Sequence, residues 1–307
     1  MKFRVLLEPH HGATYDQILA MARTAEEAGF DGFFRGDHYL GVERDNPRFE
    51  PTDSWTTLAG LARETRRIRL GALVTASTFR LPGVLAVTVA TVDAMSGGRV
   101  ELGMGAAWYE QEHANFGIPF PPIGVRFDRL EEQLQIVTGL WTTPAGEPYS
   151  FEGRHFQLRE ARNFPRPAQS PRPPIIIGGG GPRRTPTLAA RFADEYNAGF
   201  GEALAERFAR FRRICEETGR DPATVTLSGA VPVFCGADDA EAVRRSETMA
   251  GHPLQRAGAC GTPDLVAARV AEMVEAGAGT VYFHIFDVED LEHIRLLGRE
   301  VLPRFAG

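Results

Sequence analysis

Eight times along the chain, a short apolar run gives way to a segment of helical periodicity. The first unit sets the pattern. Residues 3–8 (FRVLLE) read as a strand. Thr14 and Gln17 then form a capping box, Tyr15, Ile18, Ala22 and Ala25 share one helical face, and Gly29 ends the helix. Further strands are expected at 30–35, 68–75, 99–105, 174–178, 195–200, 224–234 and 280–286. Helices are expected at 54–65, 82–95, 126–141, 184–193, 202–218, 238–250, from Thr262 to Gly277, and over 290–301. The strands are apolar enough to be buried on both faces, as in a parallel sheet covered by helices. Right-handed crossovers then allow an open doubly wound sheet or a closed barrel. Eight units in about 250 residues favour an α/β fold of the (β/α)8 (TIM) barrel type with insertions. One domain is expected over 1–307. Residues 142–172 carry a hairpin-like stretch (YSFEGRHFQL) and a Pro/Arg-rich segment, and 251–261 read as a short link.

A net charge of −6 argues against a general grip on nucleic acid. The N-terminal apolar run stops at Glu8, too soon for a signal peptide, and no stretch has the eighteen apolar residues of a membrane span. Cys215, Cys235 and Cys260 stand in no metal-ligand spacing, which points to a reducing, cytoplasmic setting and no structural metal. Lys2 is the only lysine, so every other basic residue is arginine.

In such a barrel, chemistry gathers at the carboxyl ends of the strands. The second strand ends in Arg35-Gly36-Asp37-His38, and an imidazole there suits proton transfer near neutral pH. Asp37 either orients His38 or caps the following turn. The third strand ends with hydroxyls at Thr75, Ser77 and Thr78, which serve either a ligand or the turn itself. The fourth ends Gly103-Met104-Gly105-Ala106-Ala107-Trp108. This begins like a dinucleotide fingerprint, but Trp108 replaces the third glycine and no acidic residue completes it. Its small residues would still let a flat ring approach the backbone. Glu112 and His113 either reach the mouth or are solvated.

The fifth strand gives the strongest local signal. In "PPIIIGGGGPRRTPTLAARFAD", Gly178 to Gly181 precede a helix beginning near Arg183, with Arg183 and Arg184 beside them. Bare backbone N–H groups and a helix N-terminus favour an anion. Arginines at 154, 159, 162, 166 and 172 either line one rim or are scattered surface charge. His10 and His11 follow the first strand and either line the pocket or lie in its loop. No nucleophile elbow and no metal-binding spacing such as HExxH is present.

Five segments in order, "GFDGFFRGDHYLG", "RIRLGALVTASTFRLPGVLA", "DAMSGGRVELGMGAAWYEQEHANFG", "FDRLEEQLQIVTGLW" and the glycine segment above, carry a resemblance. Over roughly residues 1–200 the chain resembles the bacterial luciferase-like superfamily, and specifically its coenzyme F420-dependent oxidoreductases. The resemblance implies a barrel with a deazaflavin (F420), or alternatively FMN, at its mouth. It implies a non-prolyl cis peptide at Leu73–Val74 behind the ring, and His38 as the proton-transfer residue beside Asp37 at the ring edge. The glycine stretch would take the cofactor phosphate. Cofactor contacts are thus expected at Asp37, Leu73, Val74, Thr75, Ala106, Ala107, Trp108, Gly178, Gly179, Gly180, Gly181 and Arg183. A small-molecule substrate and a homodimer are implied as well. The alternatives are an FMN monooxygenase using O₂ with a flavin reductase, and a non-catalytic cofactor-binding protein. F420-dependent glucose-6-phosphate dehydrogenases, a close branch, carry a glutamate where this chain has Ala106 and an aromatic where it has Val42. They also use lysines at the sugar phosphate, which argues against that substrate here, although arginine can replace lysine at a phosphate.

Overall fold

Each strand of the main sheet pairs in parallel with its neighbour until the sheet meets itself. The computed structural model describes residues 1–8, 12–41, 52–162, 164–201, 203–250, 255 and 258–306. The barrel strands are β1 (Lys2–Leu7), β2 (Gly32–Arg35), β3 (Arg69–Ala76), β4 (Val100–Gly105), β7 (Ile175–Gly178), β8 (Glu195–Phe200), β9 (Thr226–Cys235) and β11 (Thr280–Ile285). They run β9-β11-β1-β2-β3-β4-β7-β8, and β8 pairs with β9 to close the circle. The expected (β/α)8 barrel is therefore the observed fold.

Outside the strands pack α1 (Tyr15–Glu27), α2 (Ser54–Glu64), α3 (Pro82–Ser96), α5 (Ile123–Thr142), α6 (Arg184–Phe192), α7 (Leu204–Thr218), α8 (Asp239–Ser246), α9 (Pro263–Ala276) and α10 (Leu291–Glu300). The capping box at Thr14 and Gln17 forms as read, and Ile18, Ala22 and Ala25 are buried beneath it. β5 (Pro148–Glu152) and β6 (Gln157–Arg162) make the expected antiparallel hairpin. Two elements were not anticipated. A short helix α4 (Glu110–Asn115) follows β4, and the presumed link 251–261 ends in a strand, β10 (Ala259–Gly261), parallel to β9. Both are shorter than two helical turns or four strand residues, too brief for periodicity to register.

Alternation along the strands divides the core in two. On β1, Phe3, Val5 and Leu7 face the helices, while Leu6 joins Phe34, Ile176, Ala230 and Tyr282 inside the barrel. Arg4 also points inward and is fully enclosed. Its guanidinium lies 2.8 Å from Glu101 and 3.2 Å from Glu195, and donates to the Tyr282 hydroxyl at 2.5 Å. Tyr282 and Ser228 each donate to Glu195 at 2.7 Å, and Arg69 takes the other side of Glu101. A charge-assisted network thus fills the lower barrel, where side chains must fill the interior.

Candidate active site

The carboxyl ends of the strands surround a cavity of about 710 Å³, a size typical of small-molecule sites. His38 stands on its wall with Glu8, Asp37 and Glu112, while Gly178 to Gly181 form the opposite side. Leu73, Val74, Ala106, Ala107 and Trp108 also line it. Most of the residues singled out in the sequence thus share one space, with Thr75 and Arg183 outside it.

The β2 end is fixed from two directions. Asp37 is buried; Arg80 contacts it at 2.6 Å and the Ser54 hydroxyl donates to it at 2.6 Å. Neither open reading of Asp37 describes this, because its carboxylate is engaged by Arg80 instead of by His38 or the turn. Arg80 also donates to the Tyr39 hydroxyl at 3.0 Å and meets Asp53, the N-cap of α2. His38 turns to α4: its Nδ1 lies 3.2 Å from Glu112 Oε1. The other oxygen, Oε2, accepts the backbone N–H groups of Tyr39 at 2.5 Å and Leu40 at 3.1 Å. Glu112 is 1 % exposed, so of the two readings it reaches the mouth. His113 does not. It is buried behind the wall, with Nε2 at 2.6 Å from the Thr78 hydroxyl and Nδ1 at 2.7 Å from the Tyr109 carbonyl.

Burial alone would disfavour the His38 imidazolium, but the bond to Glu112 and the nearby charges of Glu8, Glu112 and Asp37 outweigh it, so its pKa lies above the ordinary value. The Trp108 ring meets the His38 ring edge-on at 5.8 Å and stacks on Tyr109 at 5.1 Å.

At the β3 end, the Leu73–Val74 peptide is cis, as the resemblance implied. Val74 fits because its neighbours lack side chains: a Cβ on Gly105 would lie 2.6 Å from Val74 Cγ2, and one on Gly178 2.7 Å from Cγ1. Thr75, expected at the cofactor, stands elsewhere. It is fully buried, its hydroxyl accepts the Trp55 indole N–H at 3.1 Å, and it is not on the cavity wall. Alternation explains this, since the residue after Val74 points to the helix layer. After β4, Ala107 adopts a φ of 63°, and Arg126 holds its carbonyl at 2.6 Å.

The glycine loop carries the other surprise. Arg183 is exposed and off the cavity wall, and Arg184 is 2.6 Å from Asp128. The cation at this end is Arg207 of α7, which donates to the carbonyls of Ala198 at 2.7 Å and Phe200 at 2.9 Å. A Cβ on Gly180 would lie 3.1 Å from its Cζ. Thr185, in the first turn of α6, lines the same end. A backbone loop open to approach, a helix N-terminus and a guanidinium fit a phosphate. Arg207 carried no sequence signal, because it sits among other arginines of α7 and only the barrel closure brings it across. Glu8 was legible as a strand-end residue. Arg154, Arg159, Arg162, Arg166 and Arg172 do not line the cavity, so they form no rim to it. His10, His11 and Val42 lie outside the described residues. Among the described residues no group of His, Cys, Asp and Glu is placed to hold a metal, and no helix is long and apolar enough to cross a membrane.

Comparison with known proteins agrees with this architecture. Residues 1–256 match the family model for luciferase-like monooxygenases. An F420-dependent glucose-6-phosphate dehydrogenase of Microbacterium testaceum is 29% identical, covering 94% of this chain and 93% of the relative. A pyrimidine monooxygenase, RutA, of Stutzerimonas stutzeri is 30% identical over 71% of this chain and 61% of its own length. Among solved structures, the coenzyme F420-dependent tetrahydromethanopterin reductase of Methanopyrus kandleri superposes with a TM-score of 0.83 at 20% identity, covering 99% of both chains. At that identity the likeness speaks for the fold. The match of the family model over most of the sequence, on a barrel whose strand ends enclose the site, means that this chain belongs to the luciferase-like monooxygenase family.

Proposed function

We propose that the protein is an F420-dependent oxidoreductase that transfers a hydride between the deazaflavin C5 and a small organic substrate. The observation that carries this reading is one cavity with an anion-suited glycine loop and Arg207 on one side and His38 on the other, flanking the cis Leu73–Val74 peptide. Gly178 to Gly181, Thr185 and Arg207 would hold the cofactor phosphate. Val74 and the backbone of Ala106 and Ala107 would back the ring, with Asp37 and Trp108 near its edge. A deazaflavin held there supplies hydride chemistry and does not activate O₂ as FMN does. The protein positions the substrate, excludes water and lets His38 take or return the accompanying proton. The F420-dependent dehydrogenase among its relatives supports this choice.

That relative's substrate is not carried over. Ala106 replaces the branch's glutamate, and among the described residues Arg207 is the only basic side chain on the cavity wall apart from His38. The pyrimidine monooxygenase relative favours a second reading, FMN with O₂ and a reductase. Equilibrium fluorescence titration of the apoprotein separates the two. F420 is expected to bind at least about tenfold more tightly than FMN, a difference of about 1.4 kcal/mol. A preference for FMN would overturn the reading, and binding of neither would remove the cofactor site altogether.

The family resemblance, together with α3, supports a homodimer. Leu81 just before the helix is 65% exposed, and Val84 and Val87 on it are 60% and 44% exposed, although its other face is already buried in the core. An exposed apolar stripe of this kind marks a surface that another chain covers, and we place a second copy of the chain there. The double substitution Val84→Glu/Val87→Glu is expected to halve the mass measured by light scattering; an unchanged mass would refute this interface. The three cysteines are free thiols, which supports a cytoplasmic location.

A further inference from the structure

We propose that Glu112 is the positioning residue for His38: its carboxylate holds the imidazole with Nδ1–H toward α4, so that Nε2 serves the cavity. The inference rests on the proton-transfer role given to His38 above and adds the residue that sets its tautomer.

The Glu112 carboxylate meets two kinds of donor, the backbone after His38 and the imidazole itself. Oε2 accepts the N–H groups of Tyr39 and Leu40, which can only be donors. His38 Nδ1 faces both oxygens, Oε1 at 3.2 Å and Oε2 at 3.3 Å. A carboxylate offers no proton, so the ring nitrogen facing it carries one, and the other ring nitrogen is then the one with a lone pair in the neutral form. The carboxylate is almost completely buried and comes from a different element, α4, whose own orientation is fixed by His113 between Thr78 and the Tyr109 carbonyl. At Nδ1 the hydrogen-bonding carboxylate is Glu112. Asp37 is taken by Arg80 and Ser54. Glu8 approaches from the end of β1 and bears on His38 through its charge. The arrangement makes His38 a base for a substrate hydroxyl. Nε2 would accept the O–H proton of such a substrate, or return it in the reverse direction, while a deazaflavin held at the glycine loop would supply the hydride chemistry.

A role confined to tying the loop to α4 would need only Oε2. The two roles separate in Glu112→Gln. The backbone N–H groups of Tyr39 and Leu40 demand the amide oxygen, which puts the amide NH₂ at the nearer position to Nδ1 and removes the carboxylate's hold on the Nδ1–H form.

The experiment is nitrogen-15 NMR of the histidine side chains in cofactor-free protein, with His38 assigned by loss of its signals in His38→Asn. Neutral His38 in the parent chain is expected as the Nδ1–H tautomer. In Glu112→Gln the neutral ring is expected to shift population toward Nε2–H, with its titration midpoint lower by about one pH unit or more and kcat/KM lower by about 100-fold or more at unchanged cofactor affinity. Glu112→Asp, which keeps the charge, is expected to restore most of the midpoint. An Nε2–H tautomer in the parent chain, or a tautomer and midpoint unaltered in Glu112→Gln, overturns the proposal. If Glu112→Gln does not fold, the parent tautomer alone decides. Because the measurement needs no cofactor, an FMN preference would sink the F420 reading and leave this one standing, whereas F420 turnover with an Nε2–H ring would do the opposite.

Discussion

His38→Asn is expected to slow hydride transfer by about 10²- to 10⁴-fold, the usual contribution of a positioned general acid or base, while F420 still binds. Asparagine keeps a polar side chain of similar reach, so the loss isolates proton transfer from cavity shape. The pH dependence gives the sharper expectation. Burial opposes the imidazolium, yet the Glu112 bond and the surrounding carboxylates raise its pKa, so the base form appears only at higher pH than for an ordinary histidine at about 6.5. The rate of substrate oxidation should therefore rise with pH through a midpoint above that value, and this limb should vanish in His38→Asn. Stability carries the opposite trend. A raised folded-state pKa contributes stability that is complete below the unfolded value and is lost as pH rises through the folded one. Stopped-flow cofactor absorbance across pH checks the rate, and cofactor titration of the same variant checks the binding. Full turnover in His38→Asn would refute the catalytic role. Cofactor binding by the parent chain with no His38-dependent transfer to any substrate in a broad screen would instead favour a non-catalytic carrier.

Arg4→Met is expected to destabilise the barrel by about 3–5 kcal/mol, since removing one partner of a buried ionic group leaves the others uncompensated. Arg4 spans Glu101 and Glu195 and lies with its Cζ 4.8 Å from the Phe34 ring centroid. Without it, Glu101 keeps Arg69, whereas Glu195 keeps only the hydroxyls of Ser228 and Tyr282. Burial already raises the Glu195 pKa against the pull of Arg4, with Glu101 adding to the rise. Loss of the guanidinium raises it further, so the carboxyl takes up a proton at higher pH. For a raised carboxyl, stability is present below the unfolded pKa and lost as pH climbs through the folded one. The penalty of Arg4→Met should therefore shrink as the solution is acidified and grow toward pH 8. Combining it with Glu195→Gln should recover much of the loss, because both sides of the broken pair are then neutral. Urea unfolding at several pH values measures all of this, and a penalty below about 1 kcal/mol would show the network to be dispensable.

The alternation of strands and helices was legible because each period is a local property of the chain, and burial on both faces leaves uninterrupted apolar runs such as Ile175–Ile177. That same reading marked the strand ends, and with them His38 and the glycines of Gly178 to Gly181, as neighbours in space. Side-chain partnerships were not legible. Asp37 was open between orienting His38 and capping the following turn, yet successive strand-end residues point apart, and Arg80 from the β3–α3 connection captures it. Arg183 looked like the anion ligand because it follows the glycines, yet α6 carries it to the surface and Arg207 arrives from the next helix.

By itself, then, the sequence determined the barrel, its order of elements and the rim on which chemistry could be built, because those follow from short-range periodicity and right-handed connection. Only the tertiary structure decided which charges face which. It set Glu112 on His38, Arg80 on Asp37, Arg4 between two glutamates and Arg207 at the glycine loop. These contacts join residues far apart in the chain, and their choice depends on how strand direction, burial and barrel closure aim each side chain.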